Sequence, residues 1–176
     1  MLERTLVLLK PDAVQRSLVG KIIERFENVG LKIIGMKMVS VDEKLADKHY
    51  LAENFLTTTV PKTRAAYSKR GIDIKESDLE IAKRIQKMLI SYLQEGPVIA
   101  FVLEGYHAIE VTRKLIGETE PRSAFPGTIR GDFFMDSYIL ADREERPIRN
   151  LIHASGNKEE AEYEINLWFT KKELIF

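Results

Sequence analysis

The sequence predicts an α+β fold, with helices packed on one antiparallel sheet. Three observations predict it. Residues 4–9 and 98–103 are short apolar runs bounded by turn residues, as buried strands are. Other stretches place apolar residues at helical spacing. The order strand, helix, strand, helices, strand, helix, short strand, helix suits helices laid on an antiparallel sheet.

The first strand ends at Lys10-Pro11-Asp12. Val19, Ile22, Ile23, Phe26 and Val29 then mark a helix closed by Gly30. Residues 31–41 read as a second strand, with Ile34, Met36 and Met38 alternating with Gly35 and Lys37. Asp42 reads as the N-cap of a short helix through Tyr50. Residues 55–77 carry Thr57-Thr58-Thr59, Pro61 and Gly71 with little apolar period, and read as an irregular excursion with at most a short helical piece. Asp78 reads as the cap of a helix whose apolar face is Ala82, Ile85, Leu89, Tyr92 and Leu93, broken at Gly96-Pro97. After the second apolar strand, Ala108, Val111 and Leu115 mark another helix, and residues 117–131 read as a loop. Residues 133–140 fit a strand or another element equally. Leu151-Ile152 is a short apolar segment, and Asn157 with Glu160 is a capping-box-like start for a last helix carrying Ala161, Ile165 and Trp168.

The 176 residues favour one domain, 1–176. Lys plus Arg and Asp plus Glu both number 27, so the net charge is zero and no global field points to nucleic acid or membrane. An anion site must be built locally. The 44% hydrophobic and 31% charged content is that of a soluble globular protein. The absence of cysteine excludes disulfides, thiolate metal sites and cysteine catalysis. The apolar run Leu6 to Leu9 is too short for a signal-peptide core or a membrane span, so the expected compartment is the cytoplasm.

There are three histidines. His49 lies in a helical pattern and reads as a surface or satisfied residue. His107 opens a helix after Gly105 and reads as a cap. His153 follows an apolar pair and precedes a helix start, so a rigid segment holds it where it can face a cleft. Lys10 ends a strand beside a turn, where side chains project into sites. Arg130 lies between Gly127 and Gly131, whose lack of side chains lets a ligand approach closely. Arg113 precedes Gly117-Glu118-Thr119. Each cation alone is more often a solvated surface charge. As a set, three cations, a hydroxyl and a histidine are the parts of a phosphoryl-transfer site. No P-loop, G-x-G-x-x-G or protein-kinase motif set occurs, and no histidine spacing suggests a metal cage. Asp132 and Asp136 are only a weak metal signal.

At these residues the sequence resembles the nucleoside diphosphate kinase family. The resemblance is carried by Arg4-Thr5 through Lys10-Pro11-Asp12-Ala13-Val14-Gln15-Arg16, by Gly117-Glu118-Thr119, by Pro126-Gly127-Thr128-Ile129-Arg130-Gly131-Asp132-Phe133, by Asn150-Leu151-Ile152-His153-Ala154-Ser155, and by Glu164 through Phe169. It runs from about residue 3 to 175, apart from two apparent insertions near 55–77 and 135–149. It implies a ferredoxin-like four-stranded antiparallel sheet and a ping-pong kinase. His153 would be the nucleophile and form a pros-phosphohistidine, with Glu164 orienting its ring and Ser155 joining that network. Arg113, Thr119 and Arg130 would hold phosphates, Lys10 and Asn150 the sugar hydroxyls and nearby phosphate, and Tyr50 would stand near the transferring group. Mg2+ would come with the nucleotide phosphates rather than sit in a protein site. Counting back from Gly96-Pro97 places Ile85, with Leu89 a turn on, where the family stacks the base. The resemblance also implies a homo-oligomer, a hexamer or tetramer, with weak base selectivity and no role for membrane or nucleic acid.

The sequence departs from the family's usual Gly-Ser-Asp after the histidine, having Ala154-Ser155-Gly156. Ala154 would be strained if that glycine needs positive φ, and Asn157 is the candidate to replace the lost cap. These departures motivate a rival reading, a nucleotide-binding module of the same fold with weak or no catalysis. A purely structural α+β domain leaves the joint set of residues unexplained.

Overall fold

The computed structural model describes residues 2–69 and 71–175. Its sheet consists of β1 (Leu2–Leu9), β2 (Lys32–Val39), β3 (Val98–Tyr106) and β4 (Ile152–Ala154). The strands lie in the order β2-β3-β1-β4, antiparallel throughout, which is the ferredoxin-like arrangement. Alternation along β1 divides the interior in two. Val7 and Leu9 join Ile99, Phe101 and Leu103 on one face, and Leu6 and Leu8 join Val98, Ala100 and Val102 on the other. Helices cover both faces, so these strands read as unbroken apolar runs.

On the first face pack α1 (Pro11–Gln15) through Ala13, α2 (Val19–Glu27) through Ile22 and Phe26, and later α7 (Ala108–Ile116) through Ala108 and Ile116. On the other face α3 (Glu43–His49) contributes Ala46. Next come α4 (Ala52–Thr57) and α5 (Thr59–Lys69), then α6 (Asp78–Gln94), which brings Leu93 to the second face. The chain continues through α8 (Ile129–Phe133) and α9 (Tyr138–Arg143) to α10 (Lys158–Trp168), whose Ile165 and Trp168 complete that core. No helix among the described residues is long and apolar enough to cross a membrane.

Several local expectations are corrected. Residues 55–77 are largely helical, forming the end of α4 and all of α5. Pro61 reads as a breaker but lies in the first turn of α5, where its missing N–H breaks no helical bond. Val60 is the one buried residue reported for α5, so no apolar stripe announces the helix. The cap of α6 is Ser77, not Asp78. Its hydroxyl accepts from the Glu80 N–H while Glu80 reaches back to the Ser77 N–H, a full capping box. Residues 117–131 are not all loop, since a 3₁₀ turn at Pro121–Ser123 and the start of α8 lie within them. Residues 133–140 resolve into the end of α8, an extended link and the start of α9. His107 occupies the N-cap position of α7 with φ +54°, but its side chain makes no capping bond.

Candidate active site

β1 runs through the molecule's centre and delivers Lys10 at its end, where Pro11 starts α1. Lys10 is buried, and its Nζ donates to Asn150 Oδ1 at 2.8 Å. Burial, with Arg130 and Arg149 nearby, pushes its pKa down to about 7 despite the opposing pull of Asp12. Asn150 donates in turn from Nδ2 to the Thr119 carbonyl at 3.0 Å. One buried amide thus joins the first strand to the Gly117-Glu118-Thr119 segment.

The next residue, Leu151, has φ +66°, and the Ile152 N–H closes on the Asn150 carbonyl at 2.7 Å. This is a γ-turn of the rare positive-φ hand, a conformation that costs a leucine on the order of 1–3 kcal/mol. The turn feeds β4, whose middle residue is His153, paired opposite Leu8.

The His153 side chain is 22% exposed, so it is neither walled off nor free. Its Nε2 lies 2.8 Å from Glu164 Oε1, and the Ser155 hydroxyl donates to Glu164 Oε2 at 2.6 Å. Glu164 projects from the same face of α10 as Ala161, Ile165 and Trp168, an apolar face in which a carboxylate is out of place unless it has a task. Burial alone would raise its pKa, but His153, His49 and Ser155 outweigh that and hold it at about 2. A carboxylate only accepts, so this hydrogen-bond network assigns the proton of a neutral His153 to Nε2 and a lone pair to Nδ1. No group among the described residues bonds Nδ1.

His49 is not a surface residue. Its side chain is fully buried, with ring centroid 4.7 Å from that of His153 in an edge-on arrangement. Its Nδ1 accepts from Trp168 Nε1 at 3.3 Å. Burial, with His153 and Lys10 alongside, pushes its pKa down to about 3 against the pull of Glu164, so it is a neutral wall of the site. His49, His153 and Glu164 are the one trio among the described residues grouped closely enough to hold a metal ion. Their bonds to Trp168, Ser155 and one another use His49 Nδ1, His153 Nε2 and both Glu164 oxygens, the pattern of an orienting network, while His49 Nε2 is buried without a hydrogen-bond partner among the described residues. Asp132 and Asp136 do not converge: the first pairs with Arg25, the second with Arg146.

Arg130 is buried at the start of α8 and donates to the carbonyls of Gly117, Asn150 and Ile152 at 3.0, 3.1 and 2.6 Å. Its remaining N–H groups have no partner among the described residues, so the guanidinium both ties the loop to β4 and offers donors to an anion. Burial, reinforced by Arg113, lowers its pKa to about 10, and it stays cationic. The expected open approach past Gly131 is corrected. A side chain there would strike the Phe125 carbonyl, which lies 2.1 Å from an added Cβ, so backbone packing demands that glycine.

Arg113 and Thr119 are exposed, and Arg113 makes no hydrogen bond or ion pair among the described residues. Tyr50 is buried with its ring 6.5 Å from that of His153. Ile85 and Leu89 stand apart from this assembly. Ile85 packs with Val60, Ile81 and Ala82, and Leu89 packs against the core that holds Tyr50 and Trp168. An open hollow beside α3, lined by Asp42, Glu43, Lys44, Asp47 and Lys48, holds none of these groups. Ala154 has no positive φ and pairs with Val7 as ordinary strand, so the departure there brings no strain. Asn157 caps α10 by accepting the Glu160 N–H at 2.8 Å. In the sequence His49 reads as a surface or satisfied residue, while Asp12 and Tyr92 are not singled out as site residues. The one available signal was a polar atom on an otherwise apolar face.

The family model for nucleoside diphosphate kinase matches residues 3–58 and 79–174. A nucleoside diphosphate kinase from Pyrobaculum aerophilum is 44% identical, over 98% of each chain. The crystal structure of an NDP kinase from that organism superposes with a TM-score of 0.94 at 43% identity, covering all of both chains. A nucleoside-diphosphate kinase structure from Borrelia burgdorferi, a transition-state mimic with bound vanadate and ADP, gives a TM-score of 0.84 at 39% identity, covering 100% of this chain and 92% of that one. One from Halobacterium salinarum in complex with CDP gives 0.74 at 34% identity, covering 100% and 93%. With the family matched along nearly its whole length, and relatives this similar carrying the same phosphotransferase activity, the chain belongs to the nucleoside diphosphate kinase family.

Proposed function

We propose that the enzyme transfers the γ-phosphate of a nucleoside triphosphate to a nucleoside diphosphate in two half-reactions through His153. Nδ1 attacks the γ-phosphorus and forms an N–P bond. The bond to the bridging oxygen breaks, and its electron pair leaves with the diphosphate. In the second half a terminal oxygen of the acceptor diphosphate attacks the same phosphorus and the N–P bond breaks. The observation that carries this reading is the 2.8 Å bond from Nε2 to an ionised Glu164, which aims an unprotonated Nδ1 outward. The carboxylate also offsets positive charge on the ring as the N–P bond forms.

Arg130 with its spare donors, Arg113 and Thr119 hold the phosphates in this reading. Lys10 and Asn150 take the sugar hydroxyls and an adjacent phosphate, and Tyr50 stands beside the transferring group. The Borrelia burgdorferi relative with ADP and vanadate supports a phosphoryl-transfer site on this fold. Mg2+ belongs to the substrate, since the His49, His153 and Glu164 trio does not fit a hard cation that prefers oxygen ligands. Ile85 and Leu89 are the proposed apolar contacts to the base, which gives weak base selectivity. We also read residues 1–176 as one domain with insertions near 55–77 and 135–149. The family model's omission of residues 59–78 supports the first. A homo-oligomeric, cytoplasmic enzyme completes the reading. Exposed Met36 and Met38 on edge strand β2 favour association.

Incubation with γ-labelled ATP tests the mechanism. An acid-labile, alkali-stable phosphoenzyme is expected from the wild type and none from His153→Ala. A labelled His153→Ala protein would overturn it. The rival, nucleotide binding without catalysis, predicts bound nucleotide and no label in either protein.

A further inference from the structure

We propose that Tyr92 and Asp12 are positioning residues of the transfer reaction: together they clamp the strained turn at Leu151 that sets both Asn150 and His153. The proposal rests on the site reading above. Tyr92 lies on α6, two helical turns beyond the proposed base contact at Ile85, and is fully buried. Its hydroxyl accepts the Asn150 N–H at 3.2 Å. The Asp12 carboxylate adjoins the same hydroxyl and accepts the Leu151 N–H at 3.1 Å through Oδ2. Two successive amides of the turn are therefore held by side chains from α6 and α1.

The turn's carbonyls are held as well. The Asn150 carbonyl accepts from Arg130 Nε, and the Leu151 carbonyl accepts the Lys10 N–H at 2.8 Å. A leucine at positive φ relaxes toward negative φ once its neighbours release it. Such a relaxation rotates Asn150 away from Lys10 and shifts the strand that begins one residue before His153. The Tyr92 ring has a second contact, with the Lys10 ammonium and the Arg149 guanidinium each 4.8 Å from its centre. Hydroxyl and ring thus have separable tasks: the hydroxyl fixes the turn, and the ring fixes Lys10.

Tyr92→Phe keeps the ring and removes only the hydroxyl. In the full-length enzyme it is expected to slow single-turnover phosphorylation of His153 by about tenfold, the loss of one buried hydrogen bond. ADP affinity should fall by less than the rate does, through the displaced Asn150 alone, and the Asn150 amide should exchange its hydrogen faster. Tyr92→Leu is expected to weaken ADP binding further, because Lys10 is then released as well. Asp12→Asn is the second variant, with the same slowed phosphorylation and faster exchange at Leu151. A role in helix packing alone would lower the melting temperature and leave the rate per folded molecule unchanged. Wild-type phosphorylation rates in folded Tyr92→Phe and Asp12→Asn would overturn the clamp while leaving His153 as nucleophile. Label appearing on His153→Ala would instead overturn the site reading itself.

Discussion

The surroundings of His153 and the segment from α4 to the start of α6 hold polar groups in opposite ways. Around His153, the buried carboxylate, hydroxyl and amide have matched partners, drawn from β4 and its flanks, α10 and the strand end at Lys10, while among the described residues Arg130 keeps two donors spare and His49 Nε2 has no partner. Among the described residues of 52–78 the charged groups are largely exposed. Arg64 bridges Asp78 and the carbonyls of Ile74 and Glu76, while Arg84 pairs with Glu76. The difference teaches where geometry is enforced. A buried group left unpaired carries its full desolvation cost, so only one arrangement survives. An exposed ion pair can be exchanged for water at little cost.

The sharpest break of this contrast is Glu164→Gln. It keeps the shape but removes the charge facing Nε2, and should lower single-turnover phosphorylation about a thousandfold, close to 4 kcal/mol in the barrier. The same residue gives a pH signature. Its pKa is lower in the folded state than the ordinary 4.5, so its contribution to stability is complete above about 4.5 and is lost as pH falls through about 2. Thermal melts between pH 6 and pH 3 should show this loss in the wild type and a shallower one in Glu164→Gln. Equal slopes would mean that the carboxylate is not held ionised by its partners.

Asp136 extends the buried class to the second proposed insertion. It is 2% exposed and accepts from the Arg149 N–H, the Ser137 N–H and both terminal nitrogens of Arg146. Asp136→Asn should destabilise the protein by about 3 kcal/mol in urea unfolding. A loss below about 1 kcal/mol would place this knot with the exposed pairs.

Lys10 yields a smaller effect of the same pH sense, in a higher window. Its pKa is lowered to about 7 from 10.5, so the unfolded chain binds more protons between those values, and this group's penalty on the free enzyme fades as pH rises through that window. A bound phosphate should restore the charge. Binding of a nucleoside diphosphate at pH 8 should then take up close to one proton, read as a dependence of calorimetric heat on buffer ionisation. Heats independent of buffer would show Lys10 already charged. Smallest of all, Arg64→Ala should cost about 1 kcal/mol or less and leave phosphorylation unchanged.

The elements the sequence revealed best are those with one dominant period. β1 and β3 were readable because both faces are buried, and α2 and α10 because an apolar stripe coincides with a stop at Gly30 in the first and a cap at Asn157 in the second. α5 was not, since a helix with one reported buried residue has no stripe to read. In the site, Lys10, Arg130 and His153 were nameable because they fall at strand ends and helix starts, and Asn150 and Glu164 only through the family resemblance. His49 was misjudged because a helical pattern does not say which face a histidine takes. Ile85 and Leu89 were placed by counting across a proposed insertion, and their contacts are with the apolar core.

By itself the sequence determined the kind of chemistry on offer: no thiol, and a histidine accompanied by cations and a hydroxyl. Those are properties of composition and local motif, which survive in any conformation. Only the tertiary structure decided which imidazole nitrogen of His153 meets Glu164, that the His49 ring packs edge-on against that imidazole, and that the turn at Leu151 is bonded by Tyr92 and Asp12. Each of these depends on hydrogen bonds between residues distant in the chain, whose strength and direction exist only once burial has removed water as the competing partner.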